Sequence, residues 1–234
     1  MNNKNMYNIT FQLLQELLVP NYPKVALIKI FNEEQYALNF TKGEICLGTL
    51  EYYRKIEATG DGRNDPKDCI NYEETWGVGI APDGKPIWYT KDDILTALVF
   101  CMFYYNPSHP NSFSDLKETI KKMGKYVCII DYRDHDNLYW SIGYSTFQKS
   151  LSGNNENFNK PLLSGNNKPV EYVDKPDYMG FQKRKEFASQ QEYRYIFSLK
   201  HLRDTVKNLD FISDRFIFKA KVMPPCFTFK ITDL

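Results

Sequence analysis

The sequence is poor in the residues that build metal and disulfide sites. It has three His (His109, His135 and His201) and five Cys, all widely separated. No CxxC pair occurs, and the scattered His do not match zinc-ligand spacing, so no metal is expected. Cys46, Cys101 and Cys128 sit inside apolar runs. That placement predicts free, buried thiols in a reducing compartment. An excess of charge is also lacking: the formal net charge is +1. No general field draws the chain to nucleic acid or membrane, although a local basic patch stays open as a phosphate site. Long hydrophobic runs are missing too. Residues 11–19 are amphipathic and short, and the opening Met-Asn-Asn-Lys-Asn leads into no apolar segment of signal-peptide type. The expectation is a cytoplasmic protein with no membrane partner. GxSxG, Walker, HExxH and GxGxxG patterns do not occur, which argues against the common hydrolase, P-loop, zinc-protease and Rossmann readings.

What is abundant is aromatic. Tyr and Phe number 17 and 16, and 42% of the 234 residues are hydrophobic. This composition builds a core without staples and favours strands. The expected class is α+β, sheet-rich, within one large domain or two small ones. Residues 1–24 read as an N-terminal helical segment, and residues 25–234 as the main domain.

Periodicity places the elements. Residues 10–18 repeat apolar side chains at helical spacing and stop at Pro20. Residues 25–31 and 45–50 read as strands, with a short helix over 33–40 between them. Residues 52–56 read as a helix or turn, and residues 60–68 as a loop rich in turn formers. Residues 75–80 and 86–89 bracket a hairpin turn. The run 95–104 is a buried strand, 112–123 an amphipathic helix stopped by Gly124, and 126–132 another strand. Residues 138–144 are expected to form a strand, and the Asn-rich stretch 150–168 a long exposed loop, either an insertion or a lid. Strands follow at 170–173 and 193–199, a short helix at 202–207, and closing strands at 216–222 and 227–231.

The informative stretch is Gln190-Gln191-Glu192-Tyr193-Arg194. Strand alternation puts Gln191, Tyr193, Tyr195 and Phe197 on one face, and Gln190, Glu192 and Arg194 on the other. The aromatic face belongs in a core. The polar face has two readings. It is a solvated face carrying Glu–Arg pairs, or it holds a carboxylate at the edge of a cleft. A carboxylate there accepts a sugar hydroxyl and stabilises developing positive charge.

The segment from Lys185 to Arg194 resembles the terminal motif of a poorly characterised bacterial family with Glu/Gln-x-Glu-Tyr-Arg. That family also carries Asn-Asp-Pro, matched by Asn64-Asp65-Pro66. The strands at Val99–Phe103, Gly124–Asp131 and Val170-Glu171-Tyr172 match it in order. The same terminal element is similar to the Gln/Glu-x-Glu strand of mono-ADP-ribosyltransferases. The resemblance implies a single domain with a mixed, mainly antiparallel split sheet flanked by short helices. It implies NAD as substrate, with no metal. Glu192 then grips the nicotinamide ribose, Gln190 helps set the acceptor, and Lys29 on the first core strand contacts NAD. Many members of the superfamily carry Arg or His where this chain has Lys29, and no clear Ser-Thr-Ser strand occurs, with Leu47-Gly48-Thr49 the nearest segment. The acceptor implied is a macromolecule, protein or nucleic acid. Small enzymes of this type often serve as toxins or in phage conflict, with an antitoxin or immunity partner. The alternatives are a non-catalytic nucleotide- or nucleic-acid-binding module, or an inhibitor protein in phage defence.

Other residues carry paired readings. Tyr52 and Tyr53, beside Arg54, either stack on a nicotinamide or adenine ring or pack a helix start. Arg63, Asn64 and Asp65 either approach a phosphate or form an Asx turn fixed by Pro66. Lys183 and Arg184 either attract an anionic acceptor or sit in a solvated turn. Arg194 joins the proposed cofactor-binding set. The charged run 131–136 reads as a solvated loop in preference to a metal site.

Overall fold

The computed structural model describes residues 6–19, 25–57, 76–80, 86–89, 97–150, 158–161, 165–174, 180–198 and 215–234. In chain order the strands are β1 (Tyr7–Ile9), β2 (Ala26–Phe31), β3 (Glu44–Thr49), β4 (Trp76–Ile80), β5 (Pro86–Tyr89), β6 (Leu98–Tyr105), β7 (Tyr126–Asp131), β8 (Thr146–Ser150), β9 (Phe158–Pro161), β10 (Gly165–Pro169), β11 (Glu171–Val173), β12 (Gln182–Arg184), β13 (Glu192–Phe197), β14 (Arg215–Lys219) and β15 (Phe227–Ile231). The helices are α1 (Phe11–Leu18), α2 (Glu34–Thr41), α3 (Leu50–Glu57), α4 (Ser112–Met123) and α5 (His135–Gly143). Short 3-10 turns cover Tyr132–Asp134 and Lys185–Gln190. The chain is therefore mixed α+β, built on a large, mainly antiparallel sheet.

Among the described residues, eleven strands form that sheet. Its main path runs β1-β15-β7-β2-β6-β3-β14-β8-β9, and β13 pairs with both β6 and β10. β1 is the parallel exception, pairing Tyr7–Ile9 with Phe229–Ile231. The N-terminal segment thus supplies an edge strand as well as a helix. β4–β5 and β11–β12 form separate two-stranded sheets, and β4–β5 is the antiparallel pair read from the sequence.

The central strand is β6, Leu-Val-Phe-Cys-Met-Phe-Tyr-Tyr, apolar throughout because helices cover both faces of the sheet. One face packs Leu27, Phe100, Met102, Tyr193, Tyr195 and Phe197 against Ala37 and Phe40 of α2 and Leu138 and Ile142 of α5. The other packs Ile28, Phe103 and Tyr105 against Phe11, Leu14 and Leu18 of α1 and Leu116 and Ile120 of α4. A smaller cluster on that second side joins Leu50 and Val99 with Tyr53, Cys101 and Ile196.

β6 changes neighbours along one edge. Its end at Phe103–Tyr105 pairs with β2, and its start at Leu98–Val99 pairs with β3. The stretch Phe100–Met102 lies between those two ladders, while its other edge is continuously paired with β13.

Local signals account for the boundaries. Thr10 caps α1, its hydroxyl accepting from the Leu13 N–H at 3.2 Å. Thr10→Ala is expected to cost about 1 kcal/mol, read as a shift in the urea midpoint at unchanged slope. Gly124 ends α4 at φ 140, where a Cβ would run into the backbone of Phe31 and Asn32. Only glycine fits there.

Several expectations are corrected. The strand read at 138–144 is instead the end of a helix: α5, ending at Gly143, buries Leu138 and Ile142 at i, i+4 spacing, a period masked in the sequence by the flanking aromatics. The stretch 150–168 is not one open loop. β9 pairs with β8, and β10 pairs with β13 along its whole length, the Asn-rich composition being overridden by ladder hydrogen bonds. Cys46 is exposed, Cys101 partly so, and Cys128 buried: neighbouring apolar residues do not fix which side of a strand a thiol takes. The run 131–136 is a 3-10 turn leading into α5, capped by Asp131, which accepts from Arg133 N–H. The helix read at 202–207, the turn between β4 and β5, and the loop at 60–68 lie outside the described residues.

Candidate active site around Glu192

The polar half of the sequence motif is assembled differently from simple strand alternation. β13 begins at Glu192, and Gln190 ends the preceding 3-10 turn. Gln191 between them is left-handed, with φ 41 and ψ 57, a conformation costing an L-residue about 1–2 kcal/mol. Gln191 is held there by its own side chain. Its Nε2 donates to Asp115 Oδ2 at 2.6 Å, and its Oε1 accepts from Ser112 Oγ at 3.0 Å. Both partners lie in the first turn of α4. The Gln191 carbonyl accepts from the Tyr104 N–H at 2.5 Å, continuing the ladder to β6.

From Glu192 onward, register defines the surroundings. Glu192 lies opposite Phe103, Arg194 opposite Cys101, and Ile196 opposite Val99. Directly opposed residues share a face. The Glu192–Arg194 pair therefore sits on the second side of the sheet, between the apolar cluster under α1 and α4 and the one under α3.

That polar face is not a solvated surface, and here the solvated-face reading is corrected. Arg194 is 3% exposed and Lys183 2%, while the Glu192 side chain keeps 16%. Lys183 Nζ donates to Glu192 Oε1 at 2.6 Å and to Gln190 Oε1 at 2.8 Å. Arg194 Nε donates to Glu192 Oε2 at 2.8 Å, and its Nη1 donates to the Gly180 carbonyl at 2.6 Å. Burial alone would raise the Glu192 pKa. Lys183 first, and Arg194 next, outweigh it through charge and hydrogen bonds and hold the carboxyl at about 2. The Glu192 N–H donates to the Tyr172 hydroxyl at 2.9 Å. Burial, and then the Glu192 charge, push that phenol's pKa up.

The solvated-turn reading of Lys183 is corrected: it stands on β12, opposite Tyr172 of β11. Its immediate neighbours, Gln182 and Arg184, are polar, so no periodicity marks it as interior. The bridge it makes explains how Gln190 and Glu192 come together although only Glu192 is on a strand.

Lys29 stands where β2 leaves β6. Its Nζ donates to the Cys101 carbonyl at 2.7 Å and lies 4.4 Å from the Phe100 ring centroid. It thus caps a carbonyl in the stretch of β6 that lies between the β2 and β3 ladders. Burial lowers its pKa, opposed by nearby groups that include Cys101, Cys46 and Glu192. Burial likewise raises the Cys101 thiol to about 11, which makes it a poor nucleophile at neutral pH.

Tyr52 and Tyr53 form an edge-to-face pair, 5.4 Å between centroids, at the start of α3. Their rings close over Gly48, where a Cβ would sit 2.9 Å from each, and Arg215 lies 5.5 Å over Tyr52. Packing of a helix start describes these contacts. Tyr53 joins the small cluster containing Cys101 and Ile196, which places it on the same side of the sheet as Glu192. The Arg54 side chain, Asn64 and Asp65 lie outside the described residues.

A separate groove of about 430 Å³, lined by Trp140, Tyr144, Val222 and Pro224–Pro225 among others, lies along α5. α5 packs on the face of the sheet opposite Glu192, and Glu192 is not among the residues lining this groove. Among the described residues, no group of three or more His, Cys, Asp or Glu gathers to hold a metal ion, and no helix is long and apolar enough to cross a membrane.

The fold and site together define a mixed α+β chain with an ionised carboxylate embedded between two cations at a change of strand pairing. No family model, curated protein or solved structure matches the chain.

Proposed function

We propose that the chain is an ADP-ribosyltransferase-like enzyme that cleaves NAD and transfers ADP-ribose to a macromolecular acceptor, protein or nucleic acid. The observation that carries this reading is the Glu192 carboxylate: ionised, partly accessible, and joined through Lys183 to Gln190 two residues earlier. A carboxyl held near pH 2 is a poor proton shuttle at neutral pH. It is suited to a fixed negative charge. Each of its oxygens keeps lone-pair capacity beyond the cation it already binds, so it can accept the ribose hydroxyl.

In the proposed reaction the bond between ribose C1′ and the nicotinamide nitrogen breaks, and its electron pair leaves with nicotinamide. Glu192 stabilises the oxocarbenium charge left on the ribose. An acceptor nucleophile, or water, forms the new bond to C1′ and loses its proton. Gln190 orients the acceptor. Lys29, Tyr52, Tyr53, Arg54, Asn64, Asp65 and Arg194 form the proposed NAD-binding set. The biology that fits is a toxin or a phage-conflict protein acting in the cytoplasm, countered by an antitoxin or immunity partner.

One observation favours a second reading. Both Glu192 oxygens are already engaged by protein cations, as suits a binding module that holds a nucleotide without turning it over. Labelled NAD separates the two. Nicotinamide release by the wild type should fall about 100-fold or more in Glu192→Gln, each variant being checked for folding by circular dichroism. Gln190→Ala, which leaves the ion pairs intact, should retain hydrolysis and lose transfer. A thermal shift with NAD, ADP-ribose or short oligonucleotides and no turnover would support the binding module. No shift and no turnover would point to an inhibitor protein.

A further inference from the structure

We propose that Gln191 is a positioning residue, whose amide clamp to the start of α4 sets where the Glu192 carboxylate stands. The inference rests on the assignment of Glu192 as the charge-stabilising group, and adds residues from a distant part of the chain to that site.

Gln191 is the one non-glycine residue among those described with a positive φ. It lies between the 3-10 turn that delivers Gln190 and the strand that delivers Glu192. Both ends of its side-chain amide are used. Asp115 takes the Nε2 donor at 2.6 Å, and Ser112 gives its hydroxyl to Oε1 at 3.0 Å. The clamp is itself anchored, because Ser112 Oγ also accepts from the Asn106 N–H at 3.1 Å. His109 Nδ1 lies 3.5 Å from the same Nε2. Gln191 is 8% exposed and Ser112 1%, so water does not compete strongly for these bonds. The main chain is fixed on both sides as well: the Gln191 carbonyl accepts from Tyr104, and the Glu192 N–H donates to Tyr172. A glutamine in this conformation is not required by sterics, since glycine adopts it freely. What glutamine adds is a two-point attachment to another element. Rotation of the chain at Gln191 would swing the carboxylate away from Lys183 and Arg194, and a displacement of about 1 Å at a reacting group is worth about 100-fold in rate.

The full chain is compared with Gln191→Ala, Gln191→Gly, Asp115→Ala and the double variant Gln191→Ala/Asp115→Ala. The first readout is the Glu192 carboxyl resonance in protein carrying ¹³C-labelled glutamate, assigned with Glu192→Gln and followed from pH 7 to 4. The wild-type resonance should stay at its ionised position throughout. In Gln191→Ala and Asp115→Ala it should begin to titrate within that range, and the double variant should do no more than either single one. Gln191→Gly should behave like Gln191→Ala. The second readout is NAD cleavage, where kcat should fall about 10- to 100-fold in the single variants with KM within about 2-fold. A Glu192 resonance unchanged from wild type in both Gln191→Ala and Gln191→Gly would overturn the clamp. Wild-type behaviour in Gln191→Gly alone would show that only the backbone conformation matters, which also overturns it. If the wild type cleaves no NAD, the functional reading fails, and the titration still decides the clamp.

Discussion

Glu192→Gln is expected to destabilise the protein by about 3–5 kcal/mol, the cost of leaving buried cations facing a neutral amide. Lys183 and Arg194 are almost fully enclosed and both donate to this one carboxylate. The amide removes the charge and presents a donor where an acceptor stood. Chemical denaturation at pH 7 measures the loss. Adding Lys183→Met to Glu192→Gln should recover a large part of it, because the stranded ammonium is then gone. A Glu192→Gln variant within about 1 kcal/mol of wild type would mean that water enters the cluster and screens it. The pH dependence has a definite sign. The carboxyl is held at about 2 against its usual 4.5, so the unfolded chain binds the proton more readily. The stabilisation is fully present above pH 4.5 and is lost as pH falls through 4.5 toward 2. That separation corresponds to about 3 kcal/mol. The gap between wild type and Glu192→Gln should therefore narrow on acidification over that window, and a gap constant from pH 7 to 3 would refute the linkage.

The second large effect is expected at Lys29. Lys29→Ala should cost about 3 kcal/mol, since it leaves the Cys101 carbonyl without its donor and opens space beside the Phe100 ring. Lys29→Met separates these contributions. It keeps most of the volume, lacks the donor, and no longer buries a charge, so its cost should be about 1–2 kcal/mol. Burial lowers the Lys29 pKa below 10.5, so the folded state releases the proton more readily than the unfolded one. The group's contribution then improves as pH rises through its folded pKa toward 10.5. Wild type should gain on Lys29→Met as pH rises toward 10.5. Equal costs for Ala and Met would assign the whole effect to the hydrogen bond.

Much of the sheet was legible because burial and period agree. The β6 run from Leu98 to Tyr105, the β7 run from Tyr126 to Asp131, and the alternation of Tyr193, Tyr195 and Phe197 all read as strands and are strands. What stayed hidden depends on residues far apart in sequence. Leu138 and Ile142 mark a helix only once both are seen to enter the same core. The Asn-rich β10 is a strand because β13 is beside it, and asparagine offers no propensity for that. Within the site, Glu192 and Arg194 could be placed on one face by counting. Lys183 could not be found that way, since its burial follows from the small β11–β12 sheet and not from its neighbours. Strand alternation puts Gln191 on the aromatic face, and its left-handed conformation turns it instead toward Ser112 and Asp115.

The place of β6 has a consequence for how the molecule forms. This strand is bordered by β2 and β3 from early in the chain and by β13 from late in it. Pairings of such long sequence separation raise contact order and slow folding, to about milliseconds or seconds. On the ribosome, Lys29 and the Cys101 carbonyl emerge well before Glu192 does. A nascent chain can therefore close the β2–β6 ladder while the edge that will receive β13 still stands open. Any activity centred on Glu192 switches on only when β13 docks, and until then the open edge of β6 is the surface for a chaperone, or an aggregating neighbour, to meet.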